Sequence, residues 1–215
     1  MNKYSNWIVA GPLRSGTLAV TRSVVLTLPN WVNYQGPDSI PQPLNCPEII
    51  QTHDTNWLNF ADDNTGVVIC IRNPIECALS WCILPKFGVA DDGKLNYHFF
   101  NKDIKKVEEL NNNIVPFYLE VGRFQQSFNF INSFYENLKI KSNYYVLAYE
   151  DWHNDPSLIA TRLGINICRP EFPIKSPGTP EEWIKNWDEI QQFSKTLLIK
   201  EYSQICQRKH WQRRY

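Results

Sequence analysis

Two apolar runs, each leading into an arginine-bearing turn and then a helical pattern, are the features that most constrain the fold. Residues 7–11 (WIVAG) precede Arg14, and residues 66–71 (GVVICI) precede Arg72. A strand that is apolar at every position is buried on both faces, as in a parallel sheet with helices on both sides. The two runs therefore predict an α/β fold with a central parallel sheet.

The rest of the chain alternates strand and helix patterns at the spacing of β-α-β units. Asn73 followed by Pro74 marks a helix start, because asparagine caps unpaired amide groups and proline suits the first helical position. Prolines at 29, 37, 41, 43 and 47 predict a stretch without regular structure. The predicted strands are 7–11, 48–52, 66–71 and 144–149, and the predicted helices are 15–28, a short one through 57–60, 74–84, 118–138, 156–163 and 188–210.

We expect residues 1–215 to form one domain, in which two layers of helices enclose the sheet in a three-layer α/β/α arrangement. A variable segment at about 85–116 and a C-terminal helix at about 188–210 belong to this domain. We find no internal repeat and no low-complexity tract that would divide the chain.

Charge and cysteine patterns exclude several classes of partner. The chain has 22 basic and 22 acidic residues, so no overall field draws it to nucleic acid or to an acidic membrane surface. The apolar runs are too short for a signal peptide core or a membrane span, which predicts a cytoplasmic protein. The cysteines have neither zinc-site spacing nor the pattern of a disulfide framework, and we expect no bound metal.

The first turn, Arg14-Ser15-Gly16-Thr17, combines groups that bind anions. The start of a helix presents unpaired amide groups, Gly16 permits close approach of the backbone, and Arg14 supplies a planar cation. The turn lacks the GxxxxGK[ST] spacing of nucleotide triphosphatases, so it does not predict magnesium-dependent ATP chemistry. Taken alone, it also fits an ordinary connection between a strand and a helix.

The second turn begins with Arg72, which is spaced by four from Glu76, as is Glu76 from Ser80. In a helix that begins at Pro74 these residues share one face, so Arg72 and Ser80 are predicted to bind one anion. The alternative is an ion pair between Arg72 and Glu76 at the helix start. Together with the first turn, the pattern indicates a ligand with two separated phosphate-like groups.

Four segments in this order resemble the sulfotransferases that use 3′-phosphoadenosine-5′-phosphosulfate. The resemblance spans residues 7 to about 164. The family resemblance implies a central parallel sheet with a P-loop-like turn that binds the phosphosulfate. The matching segments are Arg14-Ser15-Gly16-Thr17, Thr52-His53, Arg72-Asn73-Pro74-Ile75-Glu76 with Ser80, and Tyr149-Glu150-Asp151-Trp152 with Asp155-Pro156.

The resemblance also implies a role for each matching residue. Arg14, Ser15, Gly16 and Thr17 correspond to the loop that binds the 5′-phosphosulfate, and Arg14 matches the basic residue beside the transferred sulfuryl group. Arg72 and Ser80 correspond to the pair that binds the 3′-phosphate, Tyr149 to the tyrosine near the adenine, and His53 to the catalytic base. Gln51 departs from the family, whose cytosolic members often carry lysine there, and the turn is one residue longer than usual.

The function that the resemblance implies is in-line transfer of a sulfuryl group to a hydroxyl or amine, with no metal. We expect the acceptor to be a small molecule or a saccharide, and no pattern indicates an oligomeric state. Two alternatives stay open: a non-catalytic nucleotide-binding module with a sulfotransferase-like fold, and a divergent nucleotide kinase. An alternative role for His53 is to cap the short helix that follows it.

Overall fold

The computed structural model describes residues 4–26, 33–35, 40–44, 48–83, 116–155, 157–164 and 180–209. Five strands form one sheet: β1 (Asn6–Ala10), β2 (Asn33–Gln35), β3 (Glu48–Thr52), β4 (Thr65–Ile71) and β5 (Tyr145–Ala148). Their order is β2-β3-β1-β4-β5, and every pairing is parallel. The predicted α/β fold with a central parallel sheet is confirmed.

In the described residues, helices lie between β1 and β2, between β3 and β4 and between β4 and β5, and the remaining ones follow β5. They are α1 (Thr17–Leu26), a 3₁₀ helix (Thr55–Phe60), α2 (Pro74–Ile83), α3 (Val121–Asn137), α4 (Tyr149–Asn154), α5 (Ser157–Leu163), α6 (Pro180–Trp183), α7 (Trp187–Ser194) and α8 (Lys200–Lys209). Asn73 caps α2 as expected, since its Oδ1 accepts a 2.9 Å hydrogen bond from the Ile75 amide.

The sheet is buried on both faces because successive side chains of a strand point in opposite directions. On one face, Val9 and Cys70 pack against α1, α4 and α5. On the other face, Ile8 and Ile69 pack against the 3₁₀ helix and α3, with α8 at the margin. A third apolar cluster joins α2 and α3 to α6 and α7. Helices thus cover both sides of the sheet.

The C-terminal helix predicted at 188–210 is wrong as a single element, because the chain turns between α7 and α8. The Thr196 amide and hydroxyl both bond the Phe193 carbonyl, at 2.9 and 2.7 Å, which replaces the helical bonding pattern. Packing explains the turn. Phe193 belongs to the third cluster, whereas Tyr202 and Ile205 pack on the sheet face that carries Ile8 and Ile69. A straight helix would reach only one of these two clusters.

Two further expectations are corrected or lie outside the described residues. The stretch from 29 to 47 is not without regular structure, because Asn33–Gln35 pairs with β3 as the edge strand β2. The variable segment expected at 85–116 falls outside the described residues up to residue 115. Within the described ranges, no helix is long and apolar enough to cross a bilayer.

Candidate functional site

The candidate site lies where the carboxyl ends of β1 and β4 meet. These strands are neighbours in the sheet, but the chain leaves β1 toward the side of β2 and β3 and leaves β4 toward the side of β5. In open parallel sheets, ligands bind in the crevice at such a topological switch point. Arg14 follows β1 and Arg72 follows β4, so the two predicted anion-binding segments flank this crevice.

The turn after β1 is held in an unusual backbone conformation. Arg14 has φ +67° and Gly16 has φ +87°, both in the left-handed region. The Pro12 carbonyl accepts from the Ser15 amide at 3.2 Å and from the Ser15 hydroxyl at 2.7 Å. The buried Ser15 hydroxyl therefore closes the turn, and its hydrogen is directed into the turn rather than toward a ligand.

Gly16 lies directly against two aromatic rings. A Cβ built on it would lie 2.4 Å from Cζ2 of Trp152 and 3.1 Å from Cδ2 of Tyr149. Together with the positive φ, this contact restricts the position to glycine. The Gly16 carbonyl accepts from the Val20 amide at 3.2 Å, so α1 begins at Thr17. The amides of Thr17 and Leu18 have no acceptor within the helix, as at any helix start.

Thr17 is also held from the neighbouring strand. Gln51, near the end of β3, donates from Nε2 to Thr17 Oγ1 across 3.3 Å. Both side chains are buried. Gln51 therefore supports the start of α1 and contributes no positive charge to the crevice.

The Arg72 side chain connects the two predicted anion-binding segments. Its Nη1 donates to the Arg14 carbonyl at 3.1 Å, and its Nε lies 3.4 Å from Glu76 Oε2. Its guanidinium carbon lies 4.2 Å from the centroid of the Tyr149 ring, a cation–π distance. The Arg72–Glu76 ion pair that we kept open as an alternative is thus present, and a pair this exposed contributes little to stability.

Ser80 contacts the other predicted anion-binding segment. Its Oγ accepts a 3.0 Å hydrogen bond from Nε of Arg14. The four-residue spacing placed Ser80 near Arg72, but the sequence does not show that the turn after β1 brings Arg14 to the same helix face. The structure therefore joins Arg14, Arg72, Ser80 and Tyr149 at one end of the sheet.

His53 contacts the first residue of the β1 turn. Its Nδ1 lies 2.7 Å from the Gly11 carbonyl oxygen. A carbonyl can only accept, so Nδ1 carries the hydrogen and the lone pair of the neutral ring is on Nε2. The capping role that we considered for His53 belongs to Asp54, whose Oδ1 accepts from the Asn56 amide at 2.8 Å.

The Cys77 thiol, on which the charges of Arg72 and Arg14 act, stays protonated. Burial raises the pKa of Cys77 to about 12, which outweighs the opposite effect of the Arg72 charge. Cys77 therefore offers no thiolate near the crevice at neutral pH. Among the described residues, no group of three or more histidine, cysteine, aspartate or glutamate side chains is arranged to hold a metal ion.

Sequence reasoning missed one residue that contacts this site. Tyr135 of α3 bonds the backbone of Arg72 through its hydroxyl. Its place in the apolar pattern of α3 predicts only a core residue, because nothing in the sequence indicates where the hydroxyl lies.

The sequence was also compared with models of protein families and with curated proteins. No family model matches the chain, and no curated protein matches it.

Proposed function

We propose that this protein is a sulfotransferase that moves the sulfuryl group of 3′-phosphoadenosine-5′-phosphosulfate to a hydroxyl or amine acceptor. The observation that carries the proposal is the convergence of the side chains of Arg14, Arg72, Ser80 and Tyr149 at the switch point. A ligand with two separated phosphate groups is matched by two neighbouring cationic residues, one for each phosphate. Four separate segments supply these groups and His53, in the order in which the sulfotransferase family carries them.

The turn after β1 is the P-loop-like part of the proposed site. The amides of Thr17 and Leu18 and the positive end of the α1 dipole bind the 5′-phosphosulfate. Ser15 and Gly16 shape this loop, the first by closing it and the second by admitting the backbone close to Trp152. Arg14 stabilises the charge that develops as the sulfur leaves the bridging oxygen.

Arg72 and Ser80 form the proposed 3′-phosphate site, and Tyr149 forms a wall of the nucleotide site. The guanidinium carbon of Arg72 lies over the Tyr149 ring, while Nη1 donates to the Arg14 carbonyl and Nε donates to Glu76. In the nucleotide complex, the 3′-phosphate takes the place of Glu76 as the anion on Arg72. Phosphate carries more charge than one carboxylate and forms stronger charge-assisted hydrogen bonds.

His53 is the proposed base. The acceptor oxygen attacks sulfur, the bond from sulfur to the bridging oxygen breaks, and the hydroxyl proton passes to Nε2 of His53. Sulfuryl transfer is similar to phosphoryl transfer, in which charge spreads over the non-bridging oxygens and catalysis depends on position and electrostatics. The Gly11 carbonyl supports this role because it holds the hydrogen on Nδ1.

Gln51 favours one alternative, a nucleotide-binding module without turnover. Its amide donates to Thr17 and supplies no charge, where cytosolic sulfotransferases often carry a lysine. The two candidates share a binding site and differ in catalysis alone.

Two measurements test the proposal. In isothermal titration, adenosine 3′,5′-bisphosphate should bind and ATP should bind much more weakly, whereas tighter binding of ATP would indicate a kinase. A labelled-sulfate assay against phenols, alcohols, amines and saccharides should then show transfer to at least one acceptor class. Bisphosphate binding with no transfer to any of them would favour the non-catalytic module.

A further inference from the structure

The Tyr135 hydroxyl forms hydrogen bonds with both backbone groups of a single residue. It donates to the Arg72 carbonyl at 2.6 Å and accepts from the Arg72 amide at 3.0 Å. Such reciprocal bonding is what a neighbouring strand provides in a sheet. Here one side chain from the last turn of α3 performs it.

Arg72 lies just where the sheet ends. The last register pairs of β4 are Ile69 with Ala10 on one side and Ile71 with Ala148 on the other. Beyond Ile71 the strand has no ladder to fix its dihedral angles. The Tyr135 hydroxyl therefore extends the ordered backbone by one residue, to the residue whose guanidinium enters the crevice.

The ring of Tyr135 is itself fixed. It is 2% exposed and packs edge-on against Phe134 at 5.9 Å and Tyr202 at 5.5 Å between centroids. Burial raises the pKa of this hydroxyl well above its ordinary value, so it remains a donor throughout the neutral range. A rigid ring and a permanent O–H group are suited to hold a peptide unit in place.

We propose that Tyr135 is a positioning residue for the anion site: it fixes the Arg72 backbone so that the guanidinium lies over Tyr149 and reaches Arg14. The role in 3′-phosphate recognition rests on the proposed function. A side chain with a fixed Cα–Cβ direction loses less conformational entropy when it binds an anion. The two hydrogen bonds between the Tyr135 hydroxyl and the Arg72 backbone, here called the clamp, therefore raise the affinity for the anion without touching the ligand.

Tyr135→Phe tests this role because it keeps the ring and removes the hydroxyl. We expect the variant to bind adenosine 3′,5′-bisphosphate about tenfold more weakly, a ratio typical of one lost hydrogen bond, and adenosine 5′-phosphate almost as well as before. In an Arg72→Ala background, Tyr135→Phe should weaken bisphosphate binding no further. Equal weakening for both nucleotides, or additive losses in the double variant, would assign Tyr135 a structural role only.

Tyr144→Phe is the matched control. Tyr144 is a buried tyrosine of the same apolar cluster, and its hydroxyl is directed to the Leu58 carbonyl at 3.5 Å, away from Arg72. This variant should bind both nucleotides like the wild type. A loss of 3′-phosphate selectivity in Tyr144→Phe as large as in Tyr135→Phe would overturn the proposal.

Hydrogen exchange separates this proposal from the proposed function. In the ligand-free wild type, the Arg72 amide should exchange as slowly as β4 amides, and Tyr135→Phe should accelerate it at least tenfold relative to Tyr144→Phe. A wild-type protein that fails to bind the bisphosphate would refute the function and leave the clamp supported by slow exchange. Fast exchange of the Arg72 amide in the wild type would refute the clamp, even if Tyr135→Phe did not fold.

Discussion

Nη1 of Arg72 donates a 3.1 Å hydrogen bond to the backbone carbonyl of Arg14. Fifty-eight positions separate the two residues, but they follow neighbouring parallel strands, so the sheet brings them to the same edge. The bond couples the position of one cation to the loop that carries the other. Both residues lie at the crevice formed by the carboxyl ends of β1 and β4.

Arg72→Ala should weaken binding of adenosine 3′,5′-bisphosphate by about 10- to 100-fold, the range for lost charge-assisted hydrogen bonds. Binding of adenosine 5′-phosphate should change much less, because that nucleotide has no 3′-phosphate. Isothermal titration measures both affinities. Arg123→Ala, an exposed arginine on α3, is the control and should leave both unchanged. If Arg72→Ala weakened the two nucleotides equally, Arg72 would not recognise the 3′-phosphate.

His53→Ala should lower the transfer rate by about 10²- to 10⁴-fold, the usual contribution of a general base. Affinity for adenosine 3′,5′-bisphosphate should stay close to that of the wild type. His53→Asn is the sharper comparison, because the asparagine amide can donate to the Gly11 carbonyl in place of Nδ1 but cannot accept the proton. Transfer by His53→Asn at nearly the wild-type rate would remove His53 from the mechanism.

Gly16→Ala should lower the free energy of unfolding by about 2 kcal/mol or more, because of the positive φ and the contact with Trp152. Gly122→Ala is the matched control: a Cβ there meets nothing within 4 Å, and alanine favours the helix. Urea denaturation should show a loss for the first variant and no loss for the second. Similar stabilities for both would contradict the close packing of the turn.

Stability should fall at alkaline pH. Burial raises the pKa of Cys77 from its ordinary 9.0 to about 12, so the unfolded chain releases this proton at a lower pH than the folded chain does. The contribution to stability is fully present below about pH 9, and between about pH 9 and 12 it decreases by about 1.4 kcal/mol per pH unit. Urea denaturation at a series of pH values should show a slope that is shallower by about this amount in Cys77→Ala. An unchanged slope would show that the thiol ionises equally in both states.

The β4–α2 unit could be predicted closely from the sequence. Its strand is apolar without interruption, and the asparagine and proline that follow it determine where the helix begins. The parallel sheet also follows from the pattern, since alternating strands and helices favour parallel pairing with crossover connections. The residues at the ends of these strands were therefore expected at one edge.

The contacts within the site could not be predicted in the same way. Ser80 bonds Arg14, whose backbone adopts a left-handed conformation that its own side chain does not favour, so the local pattern does not predict this contact. The bond between Tyr135 and Arg72 joins residues 63 positions apart, and no local pattern encodes it. The break between α7 and α8 arises because their apolar residues pack on different clusters, whereas the sequence alone shows an almost continuous helical stretch.

A crystal structure with bound adenosine 3′,5′-bisphosphate tests the central claim most directly. We predict the 5′-phosphate at the amides of Thr17 and Leu18, and the 3′-phosphate within hydrogen-bonding distance of Arg72 and Ser80. Nε2 of His53 should face the vacant space beyond the 5′-phosphate. A nucleotide bound away from the carboxyl ends of β1 and β4, or no nucleotide at saturating concentration, would contradict the account.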